Sequence, residues 1–314
     1  MDNKHLIENI ERLKKEKNAA ILGHFYQRDE IQDISDFVGD SLAMAQWAAK
    51  CKADILVVCG VYFMAETAKI ICPDKKVLIP DDTAGCTLAD GCRASALRQW
   101  KEEHPDYTII SYVNTTAAVK ALTDVVVTSS NAKQIVESFP ADEKILFGPD
   151  RNLGAYINKV TGRHMELWDA SCRVHEQYSA ATIKMLKNKY PHALVLAHPE
   201  CRAEVLELSD VIGSTAKILK TAIASDNKQF IVATEAGILH QMKKAAPDKE
   251  FIPVPPEGKS EGCVRCLQMQ LNTLDNLYKC LLDETPEVHV NAETAAKAKI
   301  SIERMLDISQ KLGL

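Results

Sequence analysis

Short runs of consecutive apolar residues recur along the chain: NAAILG, ADILVVCG, YTIISY, DVVVTS, EKILFG, HALVLA and KQFIVAT. Because they are apolar throughout rather than alternating, they predict strands buried on both faces. Between them lie segments of helical period such as SDFVGDSLAMAQWAAK and SAATIKMLKNKY. Strands covered on both faces and separated by helices build parallel sheets, so the pattern predicts an α/β fold. Two charged amphipathic stretches flank this core, MDNKHLIENIERLKKEKN and AAKAKISIERMLDISQKL, and both read as surface helices. The second is expected to pack back on the first part of the chain or to serve a dimer contact.

The strand and helix units repeat. Residues 107–129 fall without a gap on 193–215 when moved by 86 positions, and on 19–41 when moved back by 88. The strands AILGH, IISYV and LVLAH then place His24, Tyr112 and His198 at one equivalent position, with Tyr26, Asn114 and Glu200 two residues on. Further along, SDFVGDS, TDVVVTS and SDVIGST align Asp36 with Asp124 and Asp210, and Ser41 with Ser129 and Thr215. The units run over 1–92, 93–178 and 179–289, with 290–314 returning to the first. Residues just beyond the carboxyl ends of parallel strands line ligand crevices, and a hydroxyl where a helix begins can cap it or help bind an anion. Three hydroxyls in register, each downstream of a polar strand end, point to a shared anion site.

The cysteines follow the same period. Cys172 lies 86 residues after Cys86, and the third unit offers Cys263 and Cys266 in EGCVRCLQMQLNTL. One cysteine from each unit would bring three thiolates to a pseudo-three-fold axis. Soft sulfur donors suit zinc or an iron–sulfur cluster. Structural zinc normally takes a fourth protein ligand, whereas a 4Fe-4S cluster on three cysteines keeps one iron open for Lewis-acid work on a substrate oxygen. Dehydration at such a centre needs a proton acceptor and donors, and the strand-end residues His24, Tyr26, Tyr112, His198 and Glu200 supply them. Glu200 is the best candidate base. His175, three residues after Cys172, would lie near the cluster on a helical turn, as a donor or as a packed side chain. Cys59, in an apolar strand, and Cys92 read as packing residues.

A net charge of −5 with no basic runs gives no footprint for nucleic acid or anionic lipid, and no stretch is long and apolar enough to span a membrane. The N-terminal stretch has no cleavable apolar segment, so the expected location is the cytoplasm, where disulfides are rare.

The ordered blocks GHFYQRDEIQDISDFVGDS, CGVYFMAETAKI, PDDTAGCTLAD, SYVNTTAAVKA, GPDRNLGAYI, WDASCRVHE, AHPEC, DVIGST, ATEAGILHQM and CLQMQLNTL resemble the quinolinate synthase family nearly end to end. The resemblance implies three αβα units around a pseudo-three-fold axis with a central 4Fe-4S cluster. It implies condensation of iminoaspartate with dihydroxyacetone phosphate, with loss of phosphate and two waters, to give quinolinate for NAD biosynthesis. Functional coupling to L-aspartate oxidase comes with it, and neither nucleic acid nor membrane is involved. By motif, the cluster ligands resemble Cys86, Cys172 and Cys266, the last preferred over Cys263 because CLQMQLNTL resembles the family's Cys-x-x-Met-x-x-Asn segment. Tyr26 and Tyr112 resemble the family's active-site tyrosines, His198 and Glu200 its proton-transfer groups, and His24 and Asn114 its substrate hydrogen-bond donors. Ser41, Ser129, Ser214 and Thr215 match positions that hold phosphate or carboxylate. From the residues alone, two rivals stand beside this reading: another open-cluster hydro-lyase acting on a small hydroxy acid, and a redox sensor using a cluster and the CVRC pair.

Overall fold

A computed structural model describes residues 2–313. It contains three four-stranded sheets, all parallel and all with the same strand order. The first holds β1 (Ala19–His24), β2 (Phe37–Gly39), β3 (Ile55–Cys59) and β4 (Lys76–Leu78), ordered β2-β1-β3-β4. The second holds β5 (Thr108–Tyr112), β6 (Val125–Val127), β7 (Ile145–Gly148) and β8 (Glu166–Leu167). The third holds β9 (Leu194–Ala197), β10 (Val211–Ile212), β11 (Gln229–Ala233) and β12 (Glu250–Pro253). This is the α/β architecture the apolar runs predict. Successive residues of β1 show why those runs are continuous. Ile21 packs beneath the helix Asn3–Glu16, while Ala20 and Leu22 enter the large core on the other face.

The aligned aspartates lock each unit in the same way. Asp36 Oδ2 accepts from Ile21 N at 2.7 Å, Asp124 Oδ2 from Ile109 N at 2.8 Å and Asp210 Oδ2 from Val195 N at 2.8 Å. Each tie holds the first edge strand's entry to the central strand, and each aspartate faces a lysine from the preceding helix: Lys14, Lys101 and Lys187.

Two C-terminal segments lie elsewhere than the sequence boundaries suggest. The helix Leu274–Asp283, within the stretch assigned to the third unit, packs Leu274, Leu277 and Leu281 against the first unit's helix Asn3–Glu16, and Val288 N then bonds Val77 O on β4. The last helix, Ala292–Lys311, does not return mainly to the first unit as its sequence suggests. It lies chiefly against β6 and the helix Ala117–Lys120 of the second, touching the first through the helix Tyr62–Ile71. Its buried stripe, Ala298, Ile302 and Met305, joins the core shared by the first two sheets, and Ser301 Oγ donates to Lys120 O at 2.9 Å. None of the described helices is long and apolar enough to cross a membrane.

Candidate active site

The carboxyl ends of β1, β5 and β9 converge on one cavity of about 330 Å³. His24, Tyr26 and Ser41 reach it from the first unit, Tyr112, Asn114 and Ser129 from the second, and His198, Glu200 and Thr215 from the third. Cys86, Cys172 and Cys266 line the same cavity. Ser214 does not. It caps the helix Thr215–Ala224, its hydroxyl accepting from Lys217 N at 3.3 Å. The sequence alignment reads the hydroxyls as helix starts, but the caps stand one residue earlier in two units, at Asp40 and Ser214. Ser41 and Thr215 are thereby free to face the cavity.

Two backbone contacts fix the tautomers of the strand-end histidines. Tyr26 N donates to His24 Nδ1 at 3.2 Å, and Glu200 N donates to His198 Nδ1 at 3.4 Å. With Nδ1 accepting, the proton of each neutral ring sits on Nε2. Burial pushes the two imidazoles down to about 4 and about 3, so at neutral pH both are uncharged N–H donors. His198 Nε2 lies 3.2 Å from Ser129 Oγ.

Glu200 is the buried centre of a hydrogen-bond network. Tyr112 Oη donates to Glu200 Oε1 at 2.6 Å, and His175 Nδ1 lies 3.1 Å from Oε2. The other His175 nitrogen lies 3.0 Å from Thr234 Oγ1, which is 2.7 Å from Tyr26 Oη. Burial acts to raise the Glu200 carboxyl, but His175 beside it and the hydrogen bonds from His175 and Tyr112 outweigh that and hold it below its ordinary range. Burial, then the Glu200 charge, raises both tyrosine hydroxyls well above theirs. The resting site therefore pairs an ionised carboxylate with protonated phenols. His175, which the sequence leaves as either donor or packing, is the bridge from Glu200 to Tyr26.

Each cavity cysteine opens a short helical turn: Thr87–Asp90, His175–Gln177 and Met269–Leu271 follow them. In all three, the backbone N–H of the third residue on points at the sulfur: Ala89 at Cys86, His175 at Cys172 and Met269 at Cys266. Burial raises all three thiols, Cys86 to about 12, and these N–H groups oppose it. Cys263 is exposed and does not line the cavity. Cys172 also meets the acid–base network, its sulfur lying with a His175 nitrogen and a Glu200 oxygen within 4.8 Å of one another, a group able to hold a metal. All ten cysteines are free.

Several residues that shape the site escape the sequence reading. Lys120, fully buried, donates to Val113 O at 2.8 Å and to Thr115 O, bracing the loop that carries Asn114. Gln32 stands at the equivalent position in the first unit and donates to Phe25 O at 3.1 Å and Gln27 O at 2.9 Å, bracing the loop of Tyr26. Gly237 is pressed so closely on Tyr26 that a Cβ there would come within 2.8 Å of its backbone. Asn114 Oδ1 is buried with no partner among the described residues, and its side chain lines the cavity. The repeat itself carries the signal for Lys120 and Gln32, because they align when the same offset is applied.

The family model described as quinolinate synthetase A protein matches residues 8–307. Proteins named quinolinate synthase are similar over nearly the whole chain. That of Chloroherpeton thalassium is 50% identical over 305 residues, covering 97% of this chain and 95% of the relative. Those of Microcystis aeruginosa and Synechocystis are each 50% identical over 304 residues, again 97% of this chain and 95% of the relative. A match of this extent, on a chain whose three sheets bring the motif residues to one cavity, means that the chain belongs to the quinolinate synthetase A family.

Proposed function

We propose that this enzyme is a quinolinate synthase of NAD biosynthesis, condensing iminoaspartate with dihydroxyacetone phosphate and releasing phosphate and two waters. The observation that carries the proposal is the sharing of one cavity by three equivalent half-buried thiols and by an ionised carboxylate with protonated phenols. Three soft donors, one per unit and each facing a backbone N–H, fit a 4Fe-4S cluster held by Cys86, Cys172 and Cys266. When bound through three thiolates, such a cluster supplies Lewis-acid polarisation of a substrate oxygen at its fourth iron.

The chain's own residues do the rest. The Nε2–H groups of His24 and His198, the Asn114 amide and the hydroxyls of Ser41, Ser129 and Thr215 bind the carboxylates and phosphate of the substrates, while Ser214 supports them by capping. Glu200 takes a proton from carbon or nitrogen, Tyr112 gives its own to the substrate and is reprotonated by Glu200 through their 2.6 Å hydrogen bond, and Tyr26 is reached through Thr234 and His175. Burial of Tyr112, His198 and Glu200 keeps bulk water from short-circuiting these transfers. The imine is supplied by an L-aspartate oxidase, and ten free thiols suit a reducing cytoplasm.

The test is anaerobic preparation with iron and sulfide analysis and an assay for quinolinate. Quinolinate should form only when both substrates are present. A preparation that carries iron and sulfide but dehydrates a hydroxy acid and makes no quinolinate would replace this reading with the hydro-lyase one.

A further inference from the structure

The three sheets repeat beyond their first strands. Register pairs Ala20 with Leu56, Thr108 with Ile145 and Leu194 with Phe230, which makes Val61, Asp150 and Glu235 equivalent in the turns that follow β3, β7 and β11. Two of the three are carboxylates, and both are fully buried. Neither forms an ion pair among the described residues. Buried carboxylates without a cation are costly, so their hydrogen bonds are informative.

Both divide their two oxygens in the same way. Asp150 Oδ1 accepts from Leu153 N at 2.7 Å, within its own turn, and Oδ2 accepts from Cys172 N at 3.1 Å. Glu235 Oε2 accepts from Gly237 N at 2.5 Å, within its own turn, and Oε1 accepts from Cys266 N at 3.0 Å. Each carboxylate thus ties the end of a strand to the backbone of a cavity cysteine that lies in a separate loop. An amide of the same shape has a single acceptor oxygen and can serve only one of the two N–H groups. The first unit has Val61 at this position. Its cysteine loop is held by the cysteine loop of the third unit, where Gln268 Oε1 accepts from Gly85 N at 3.0 Å.

We propose that Asp150 and Glu235 are positioning residues for the cluster, each fixing the backbone of one ligand cysteine while Gln268 performs the same task beside Cys86. This rests on the cluster reading given above. The chelating loops are then set before the cluster arrives, two by buried carboxylates and one by a neutral amide, so the three corners of the site are held unequally.

Asp150→Asn and Glu235→Gln test it, compared with wild type after anaerobic reconstitution. The readouts are iron and sulfide per chain, the rate of cluster bleaching by an iron chelator, and thermal melting of the reconstituted protein and of the metal-free protein. The isosteric amides fill the same space and can still serve one of the two N–H groups. The metal-free melting temperature should stay near wild type, while bleaching quickens by about tenfold or more, the scale expected when an outer partner of a metal ligand is lost. Wild-type bleaching rates and iron content in both amides would overturn the proposal and leave the carboxylates as space-filling groups. Asp150 also caps the helix Arg151–Thr161, so if its variant misfolds, the bleaching rate of Glu235→Gln alone decides between these outcomes. A wild-type protein that takes up no iron or sulfide would instead remove the cluster reading, and this proposal with it.

Discussion

At the scale of single residues, the site works because burial and hydrogen bonding set neighbouring groups to different protonation states. Glu200→Gln removes the proposed base but preserves volume. Turnover should fall by about 10²–10⁴-fold while iron, sulfide and fold persist, and wild-type turnover would remove Glu200 from the mechanism. Tyr112→Phe deletes the 2.6 Å hydrogen bond that helps hold Glu200 ionised. The carboxyl pKa then rises toward its ordinary value, and a base that works ionised is lost as pH falls through that pKa. The acid limb of the kcat/KM profile should therefore move to higher pH in Tyr112→Phe, and an unmoved limb would uncouple the two groups. Among the cysteines, Cys86→Ala, Cys172→Ala and Cys266→Ala should each lose the brown chromophore of the anaerobic protein, whereas Cys263→Ala keeps it. Spacing alone leaves the last pair undecided. Exposure of Cys263, and the N–H directed at Cys266 as at the other two sulfurs, separate them physically.

Among the elements, the last helix has a reach that its sequence does not reveal. Ser309 Oγ accepts from Asn131 Nδ2 at 2.9 Å, and Asn131 Oδ1 accepts from Thr128 N at 2.6 Å, at the turn that presents Ser129 to the cavity. A helix on the outside of the second unit is thus two hydrogen bonds from a wall of the site. Ser309→Ala deletes only the hydroxyl and leaves the buried Asn131 amide N–H unpaired, at a cost of about 1–3 kcal/mol. Urea unfolding should register that loss, and KM should rise with kcat little changed as the Ser129 turn loosens. An unchanged KM at reduced stability would confine the helix to a packing role. Its amphipathic pattern correctly marks it as a surface helix, but the pattern says only that one stripe is buried, not against which unit. The stripe of Ala298, Ile302 and Met305 is as apolar as any outer-layer helix requires, so the choice of the second unit lies in tertiary pairings such as Ser301 with Lys120 O.

For the whole molecule, the three-fold repeat is legible in sequence wherever equivalent positions keep equivalent chemistry, as at Asp36, Asp124 and Asp210 or at the strand-end His24, Tyr112 and His198. It fades where one task is performed by different side chains. The strand-end loops are the clearest case, because Gln32 braces the first with an amide and Lys120 braces the second with an ammonium, while Leu206 at the third equivalent position has no donor. Both donors serve two backbone carbonyls, but their electrostatic cost differs. Lys120 is fully buried, and desolvation pushes its pKa down to about 8. In the unfolded chain the same lysine titrates near its ordinary value of 10.5. Between those two pH values the unfolded state binds the extra proton, so stability contributed by this group rises with pH across the window and is lowest below about 8. The gain is on the order of 3 kcal/mol for a shift of this size. Lys120→Gln transplants the first unit's solution into the second and removes the titration. In paired urea titrations, wild type should gain on the variant as pH rises from about 8 toward 10.5, and at neutral pH the variant should be no less stable than wild type if the amide reaches the Val113 carbonyl. Parallel stability curves for the two proteins across that window would mean that Lys120 does not carry the charge cost assigned to it, and that the two loop braces differ in shape alone.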